Sequence, residues 1–148
     1  MTNLIELEGY KSGAIYSRLN DNYIEVDFNE TFILCTIPRL FTPHCADELK
    51  AADDILREFK DAGIPLAFAS TDSPEVMEQY FGKYPVGFPF YRVNKRMDYD
   101  LGVTDRFGDS SRSTYFFKDG EAKEAINHGF NAERDFWDIL QKAKEVLL

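Results

Sequence analysis

The apolar residues of this chain fall into short runs separated by polar turns. Thr31–Ile37 (TFILCTI) is a continuous apolar run. Such a run forms a strand buried on both faces, and Pro38 stops it. Ile64–Ala69 (IPLAFA) reads the same way, with Pro65 accepted only at the start of a strand. Between them, Cys45, Leu49, Ala52, Leu56 and Phe59 recur at steps of three and four, which is one face of a helix. Thr42 predicts the N-cap of that helix, Pro43 its first residue and Gly63 its end. A second helix opens at Ser73-Pro74, with Val76, Met77, Tyr80 and Phe81 inward. Tyr84–Phe90 reads as a Pro- and Gly-rich loop, and Asp98–Leu101 as one helical turn ending at Gly102. Thr114–Phe117 and Glu121–Ile126 predict two strands joined by a turn at Lys118-Asp119-Gly120. Asn131 is expected to cap a last helix, with Phe136, Leu140, Ala143 and Leu147 facing inward. Tyr23–Phe28 alternates like an edge strand.

A strand–helix–strand unit followed by a hairpin and a closing helix implies a single α/β domain over residues 1–148. The order is that of a thioredoxin-like fold: a central mixed β-sheet flanked by helices on both faces. Composition narrows the function classes. Lys plus Arg is 17 and Asp plus Glu is 26, for a formal net charge of −9. An acidic chain is not drawn to nucleic acid or to an anionic membrane surface, so neither is an expected partner. Met1–Tyr10 has no basic segment, and the longest apolar runs are far shorter than the roughly 20 residues of a membrane helix. The expected location is the cytoplasm, where both cysteines, Cys35 and Cys45, start as thiols.

Cys45 is the residue that changes this picture. It lies about three residues into a helix that follows a buried strand. Unpaired N–H groups at a helix N-terminus favour an anion, and cysteines placed there become nucleophilic. A buried structural cysteine is the alternative reading of the position alone. His44 is adjacent in sequence but points about 100° away around the helix, to solvent or the rim of a pocket. His128 reads as a surface residue. Cys35, His44 and Cys45 lack zinc-site spacing. There is no C-x-x-C, which argues against a thioredoxin-type disulfide exchanger, and no Gly-rich phosphate loop; neither a metal nor a cofactor is expected. Asp72 and Asp98 read as loop aspartates that cap or turn.

Pro38-Arg39-Leu40-Phe41-Thr42-Pro43-His44-Cys45 fits P-x-x-x-T-x-x-C, and Thr42–Leu49 also fits T-P-x-C-x-x-E-L. Three further segments run in the same order: Ala69–Glu75 (ASTDSPE), Phe88-Pro89-Phe90 followed by Leu101-Gly102-Val103, and Arg112–Phe117 (RSTYFF) followed by Lys118-Asp119-Gly120. Over about residues 23–130 the chain resembles the peroxiredoxins, the alkyl hydroperoxide reductase and thiol-specific antioxidant family. The resemblance implies a thiol-dependent peroxidase that reduces hydrogen peroxide or alkyl hydroperoxides. It makes Cys45 the attacking thiolate, oxidised to a sulfenic acid. It implies that Arg112 stabilises the thiolate and the leaving oxygen, and that Thr42 holds thiolate and peroxide. Pro38 would shield the sulfur from water, and Glu48 would orient Arg112. It also makes a homodimer plausible.

The chain departs from the family pattern in places. Gly9–Leu19 reads GYKSGAIYSRL where a G-x-x-A-P-x-F is usual, and Ser111 stands where a proline often precedes the arginine. No cysteine follows Cys45. The expectation is therefore a one-cysteine enzyme whose sulfenate is reduced by an external thiol, either a thioredoxin-like protein or a small thiol. Internal resolution through Cys35 and a redox-sensing protein with little turnover are the alternatives.

Overall fold

A computed structural model describes residues 3–5, 15–17, 31–70, 72–88, 90–93, 112–119, 121–129 and 134–148. Its elements are β1 (Asn3–Ile5), β2 (Ile15–Ser17), β3 (Phe32–Thr36), α1 (Pro43–Asp61), β4 (Leu66–Ser70), α2 (Pro74–Lys83), β5 (Phe90–Val93), β6 (Arg112–Lys118), β7 (Glu121–Gly129) and α3 (Phe136–Leu147). The strands form one sheet in the order β1-β7-β6-β3-β4-β5-β2. β3, β4 and β5 run parallel, with α1 and α2 as their crossovers, and the remaining pairs are antiparallel. This is the mixed α/β sheet that the order of elements implied.

The two continuous apolar runs become the sheet's centre. Every residue of β3 and of β4 is buried. Side chains alternate across a strand, so Ile33 and Cys35 of β3 face one way with Phe116 of β6. Residues of all three helices join these in one cluster, among them Leu49 and Phe59 of α1, Met77 and Phe81 of α2, and Leu140 of α3. Phe68 links the layers, with ring centroids 4.8 Å from Phe88 and 5.8 Å from Phe136. Each such fully buried aliphatic or aromatic side chain contributes about 1.5–3 kcal/mol of burial free energy. The opposite face is buried too, at Leu34, Tyr115 and Phe117.

Three boundaries differ from the local reading. Phe90 begins a strand rather than ending a loop, because it is buried and pairs with Phe68 across β4 and β5. β6 begins at Arg112 and β7 reaches Gly129, both beyond the apolar stretch, since these two residues pair with each other at the end of the β6–β7 ladder. The cap of α3 is Asp135, whose Oδ1 accepts from the N–H groups of Trp137 at 3.0 Å and Asp138 at 3.3 Å. Phe136, Leu140, Ala143 and Leu147 are buried. Asn131, Tyr23–Phe28 and Asp98–Leu101 lie outside the described residues. The edge strands β1 and β2 have no sequence signal comparable to β3. Among the described residues no helix is long and apolar enough to cross a membrane.

Candidate active site

The turn from β3 into α1 carries the candidate chemistry. Pro38 is buried just after the strand. The Leu40 N–H donates to Asp72 Oδ2 at 2.9 Å, and the Ser70 hydroxyl donates to the same oxygen at 2.7 Å. Asp72 thus fastens the turn to the end of β4. Phe41 takes a left-handed backbone, with φ of 63°, and its ring meets Tyr80 edge-on at 5.0 Å. A non-glycine residue in that region stores about 1–3 kcal/mol of strain. Thr42 occupies the N-cap position of α1, but its hydroxyl accepts from no helical N–H. It donates to the Arg39 carbonyl at 3.2 Å instead. Pro43 begins the helix, so Cys45 stands in its first turn.

Cys45 is 1% exposed. Arg112, the first residue of β6, is 3% exposed and directs Nη2 to Cys45 Sγ at 3.2 Å. Its Nε lies 3.3 Å from Glu48 Oε2. Glu48 sits three residues after Cys45, so both project from the same side of α1. The sequence residues Cys45, Glu48 and Arg112 therefore converge in one buried cluster. Thr42 and Pro38 flank it in the turn, with the Thr42 hydroxyl engaged by Arg39 rather than by the sulfur.

Arg134 completes the cluster, and no motif in the sequence marks it. Its side chain is fully buried, and its Nη2 lies 3.0 Å from Glu48 Oε1. The same nitrogen donates to the Thr36 carbonyl at 2.7 Å, and Nη1 donates to the Ser113 carbonyl at 3.2 Å. One guanidinium thereby joins the ends of β3 and β6 to α1. Its carbon stands 5.6 Å over the Phe68 ring, a cation–π distance. The signal that could have found it is Glu48 itself. A carboxylate on the buried stripe of α1 has two oxygens to satisfy, and Arg112 answers only one.

The second cysteine has a different setting. Cys35 is 0% exposed in the middle of β3, opposite Thr114. Its sulfur lies 4.0 Å from Thr114 Oγ1. Burial pushes the Cys35 thiol up, against the opposing pull of Arg134. Both cysteines are free thiols.

His128 is not a simple surface residue. It is half-buried on β7, with Nε2 2.9 Å from Thr114 Oγ1. Burial first, and then the positive charges of Arg134 and Arg112, lower its pKa to about 3. The folded protein therefore stays neutral at His128 where an unfolded chain, near 6.5, takes up a proton. As pH falls from about 6.5 toward 3 the unfolded state binds the extra proton, so stability drops across that window. The contribution is fully present above it. Denaturant midpoints measured from pH 7 to pH 4 should fall less steeply in His128→Gln than in the parent. His44 is exposed and lines a small cavity beside Glu48. Among the described residues no group of three or more His, Cys, Asp or Glu could hold a metal ion.

A buried cysteine in the first turn of a helix, faced by an arginine from an antiparallel strand, can act as a nucleophile toward an oxygen that leaves with negative charge. No curated protein sequence matches the chain. Solved structures match over nearly all of it. AhpC from Enterococcus faecalis superposes with a TM-score of 0.80 at 16% identity, covering 95% of this chain and 92% of that one. Reduced Prx3 from Vibrio vulnificus, solved in complex with hydrogen peroxide, gives 0.78 at 17% identity, covering 95% and 96%. A mutant of peroxiredoxin 6 from Arenicola marina gives 0.75 at 20% identity, covering 95% and 72%. At such identities these likenesses establish the shared fold. Residues 19–122 match the model of the AhpC/TSA family. That span includes Pro38, Thr42, Cys45, Glu48 and Arg112, and the chain belongs to the AhpC/TSA family, the peroxiredoxins, which are thiol-dependent peroxidases.

Proposed function

We propose that the protein is a one-cysteine peroxidase in which Cys45 reduces hydrogen peroxide or a small alkyl hydroperoxide. The observation that carries this reading is the 3.2 Å contact between Arg112 Nη2 and Cys45 Sγ at the start of α1. A fixed guanidinium and the helix N-terminus both favour negative charge on the sulfur. The thiolate attacks one peroxide oxygen. A sulfur–oxygen bond forms, the oxygen–oxygen bond breaks, and the departing hydroxide or alkoxide takes a proton. Arg112 is placed to stabilise the charge that builds on the leaving oxygen. Glu48 holds the guanidinium plane from the other side. In this reading the Thr42 hydroxyl turns from the Arg39 carbonyl to the peroxide, and buried Pro38 keeps water from the sulfur.

The resulting sulfenic acid needs a thiol from outside the chain. Cys35 is the only other cysteine, and it is fully buried within a paired strand. An external thiol attacks sulfur, displaces the oxygen as water and leaves a mixed disulfide. A second thiol releases Cys45. Such chemistry suits the reducing cytoplasm.

Intact-mass analysis after one equivalent of peroxide tests the scheme. The expected product has gained one oxygen atom at Cys45, is trapped by a sulfenic-acid reagent and returns to the starting mass with added thiol. Excess peroxide should carry it to the sulfinic acid. A chain that instead loses two hydrogens, with Cys35 and Cys45 in one cross-linked peptide, would sink the one-cysteine mechanism.

A further inference from the structure

The motif Ala69–Glu75 (ASTDSPE) has no part in the peroxidase chemistry described so far. Its aspartate, Asp72, stands in the loop between β4 and α2, where an aspartate ordinarily caps the next helix. α2 already has its cap in Ser73, whose hydroxyl accepts from the Val76 N–H at 3.3 Å. The Asp72 carboxylate turns the other way, toward the segment that leads into α1. Its Oδ2 accepts the Leu40 N–H at 2.9 Å. Ser70, fully buried at the end of β4, holds that carboxylate in place. The Ser70 hydroxyl donates to Oδ2 at 2.7 Å and accepts the Asp72 N–H at 3.3 Å. Leu40 is thereby held from a central strand of the sheet.

The Leu40 N–H and the Arg39 carbonyl belong to one peptide unit, and a planar trans unit points them in opposite directions. On the far side, the Arg39 carbonyl accepts the Thr42 hydroxyl at 3.2 Å. A hydrogen-bonded line therefore runs from Ser70 through Asp72 and the Arg39–Leu40 peptide to Thr42. The segment has two reasons to need it. Phe41, between Leu40 and Thr42, has a φ of 63°, and a residue with a bulky side chain stays in that region only where its surroundings fix it. Thr42 is the N-cap residue of α1, yet its hydroxyl bonds no helical N–H, so the helix does not hold that side chain. The grip comes from the β4–α2 side: Asp72 on the Leu40 backbone, the Ala69 carbonyl on the Ile37 N–H at 3.0 Å, and Tyr80 against the Phe41 ring at 5.0 Å.

We propose that Asp72 is a positioning residue for peroxide reduction, acting on Thr42 through the Arg39–Leu40 peptide. This rests on the role given to Thr42 under the proposed function. With that peptide clamped, the Thr42 oxygen keeps one place, and only its proton has to swing from the Arg39 carbonyl to a bound peroxide. Without the clamp the strained backbone at Phe41 relaxes, the peptide rotates and the Thr42 oxygen leaves its place. A displacement of about 1 Å in a group that orients substrate costs on the order of 10²-fold in rate. The Arg112–Cys45 contact lies outside this line, because Arg112 comes from β6 and is held by Glu48. Asp72 therefore governs the geometry that meets the peroxide and leaves the guanidinium–sulfur pair as it is.

The test is a double-mutant cycle read by stopped-flow single turnovers with hydrogen peroxide. Asp72→Ala should slow peroxide reduction by about 10–10²-fold, and Thr42→Val by at least as much. Thr42→Val removes the hydroxyl without removing a helix cap, since that hydroxyl caps nothing. In the Thr42→Val background the further loss from Asp72→Ala should be less than about twofold, because the group it acts through has gone. Asp72→Asn keeps an oxygen for the Leu40 N–H and the Ser70 hydroxyl and should recover most of the parent rate. The pH profile of Cys45 alkylation by iodoacetamide should be the same in Asp72→Ala and the parent. If Asp72→Ala does not fold, Asp72→Glu, which moves the carboxylate by one methylene, takes its place in the cycle. Equal losses in the two backgrounds, or an alkylation profile that moves together with the peroxide rate, would mean a general loosening of the turn and would overturn the proposal. Thr42→Val as fast as the parent would also overturn it, while leaving the chemistry of Cys45 and Arg112 standing. A parent protein that reduces no peroxide would overturn the peroxidase reading itself.

Discussion

Cys45→Ser should consume no peroxide above the uncatalysed rate, whereas Cys35→Ser should retain most of the parent activity. The contrast follows from the two settings. Cys45 meets a guanidinium at 3.2 Å in the first turn of a helix. Cys35 lies mid-strand, where burial keeps its thiol protonated. A serine hydroxyl at position 45 is too weak an acid to form the anion that attacks peroxide, and no neighbouring histidine acts as its base. His44, the adjacent residue, is exposed. A serine at position 35 keeps the size of the side chain and a group able to bond Thr114. Peroxide loss followed by a coupled or electrode assay reads both variants. Equal loss of activity in two folded proteins would mean that the cysteines act as a pair.

Arg112→Ala should lower the rate constant for peroxide reduction by about 10²–10³, the range seen when one donor to a developing oxyanion is removed. The variant takes away the partner of Cys45 Sγ and one of the two cations on Glu48. Glu48 keeps Arg134 at 3.0 Å, so the carboxylate is not stranded and the fold should survive. Arg112→Lys should recover only part of the loss. An ammonium offers a point charge and lacks the planar fork that reaches sulfur and carboxylate together. Stopped-flow single turnovers separate this effect from the later thiol step. An unchanged peroxide rate in Arg112→Ala would remove Arg112 from the chemistry.

The parts of this molecule that are legible in the sequence are those set by local pattern. β3, β4 and α1 are written in apolar spacing, and the T-x-x-C signature alone singles out Cys45 over Cys35. Arg112 and Glu48 rest on resemblance, because an arginine at the head of a strand and a glutamate on a helix have no local mark of function. What stays hidden depends on tertiary partners. β5 follows a stretch rich in proline and glycine and becomes a strand through its pairing with β4. Arg134 stands in a polar stretch and is recognisable only once Glu48 is seen to be buried. His128 looks like a surface residue until the Thr114 hydroxyl and two guanidiniums are brought beside it.

The antiparallel register of β6 against β3 limits how this chain can drift. Thr36 stands opposite Ser113 and Cys35 opposite Thr114, which places Arg112 one residue beyond the paired segment on the face of α1. A strand alternates its side chains, so a shift of a single position would turn Arg112 away and carry Ser113 to the sulfur's side. Point substitutions leave that alternation intact, while a one-residue insertion or deletion between Arg112 and Phe117 destroys it. Substitutions along β6 that respect this spacing therefore leave the guanidinium aimed at the thiol. In this part of the chain, what inheritance must preserve is spacing more than composition.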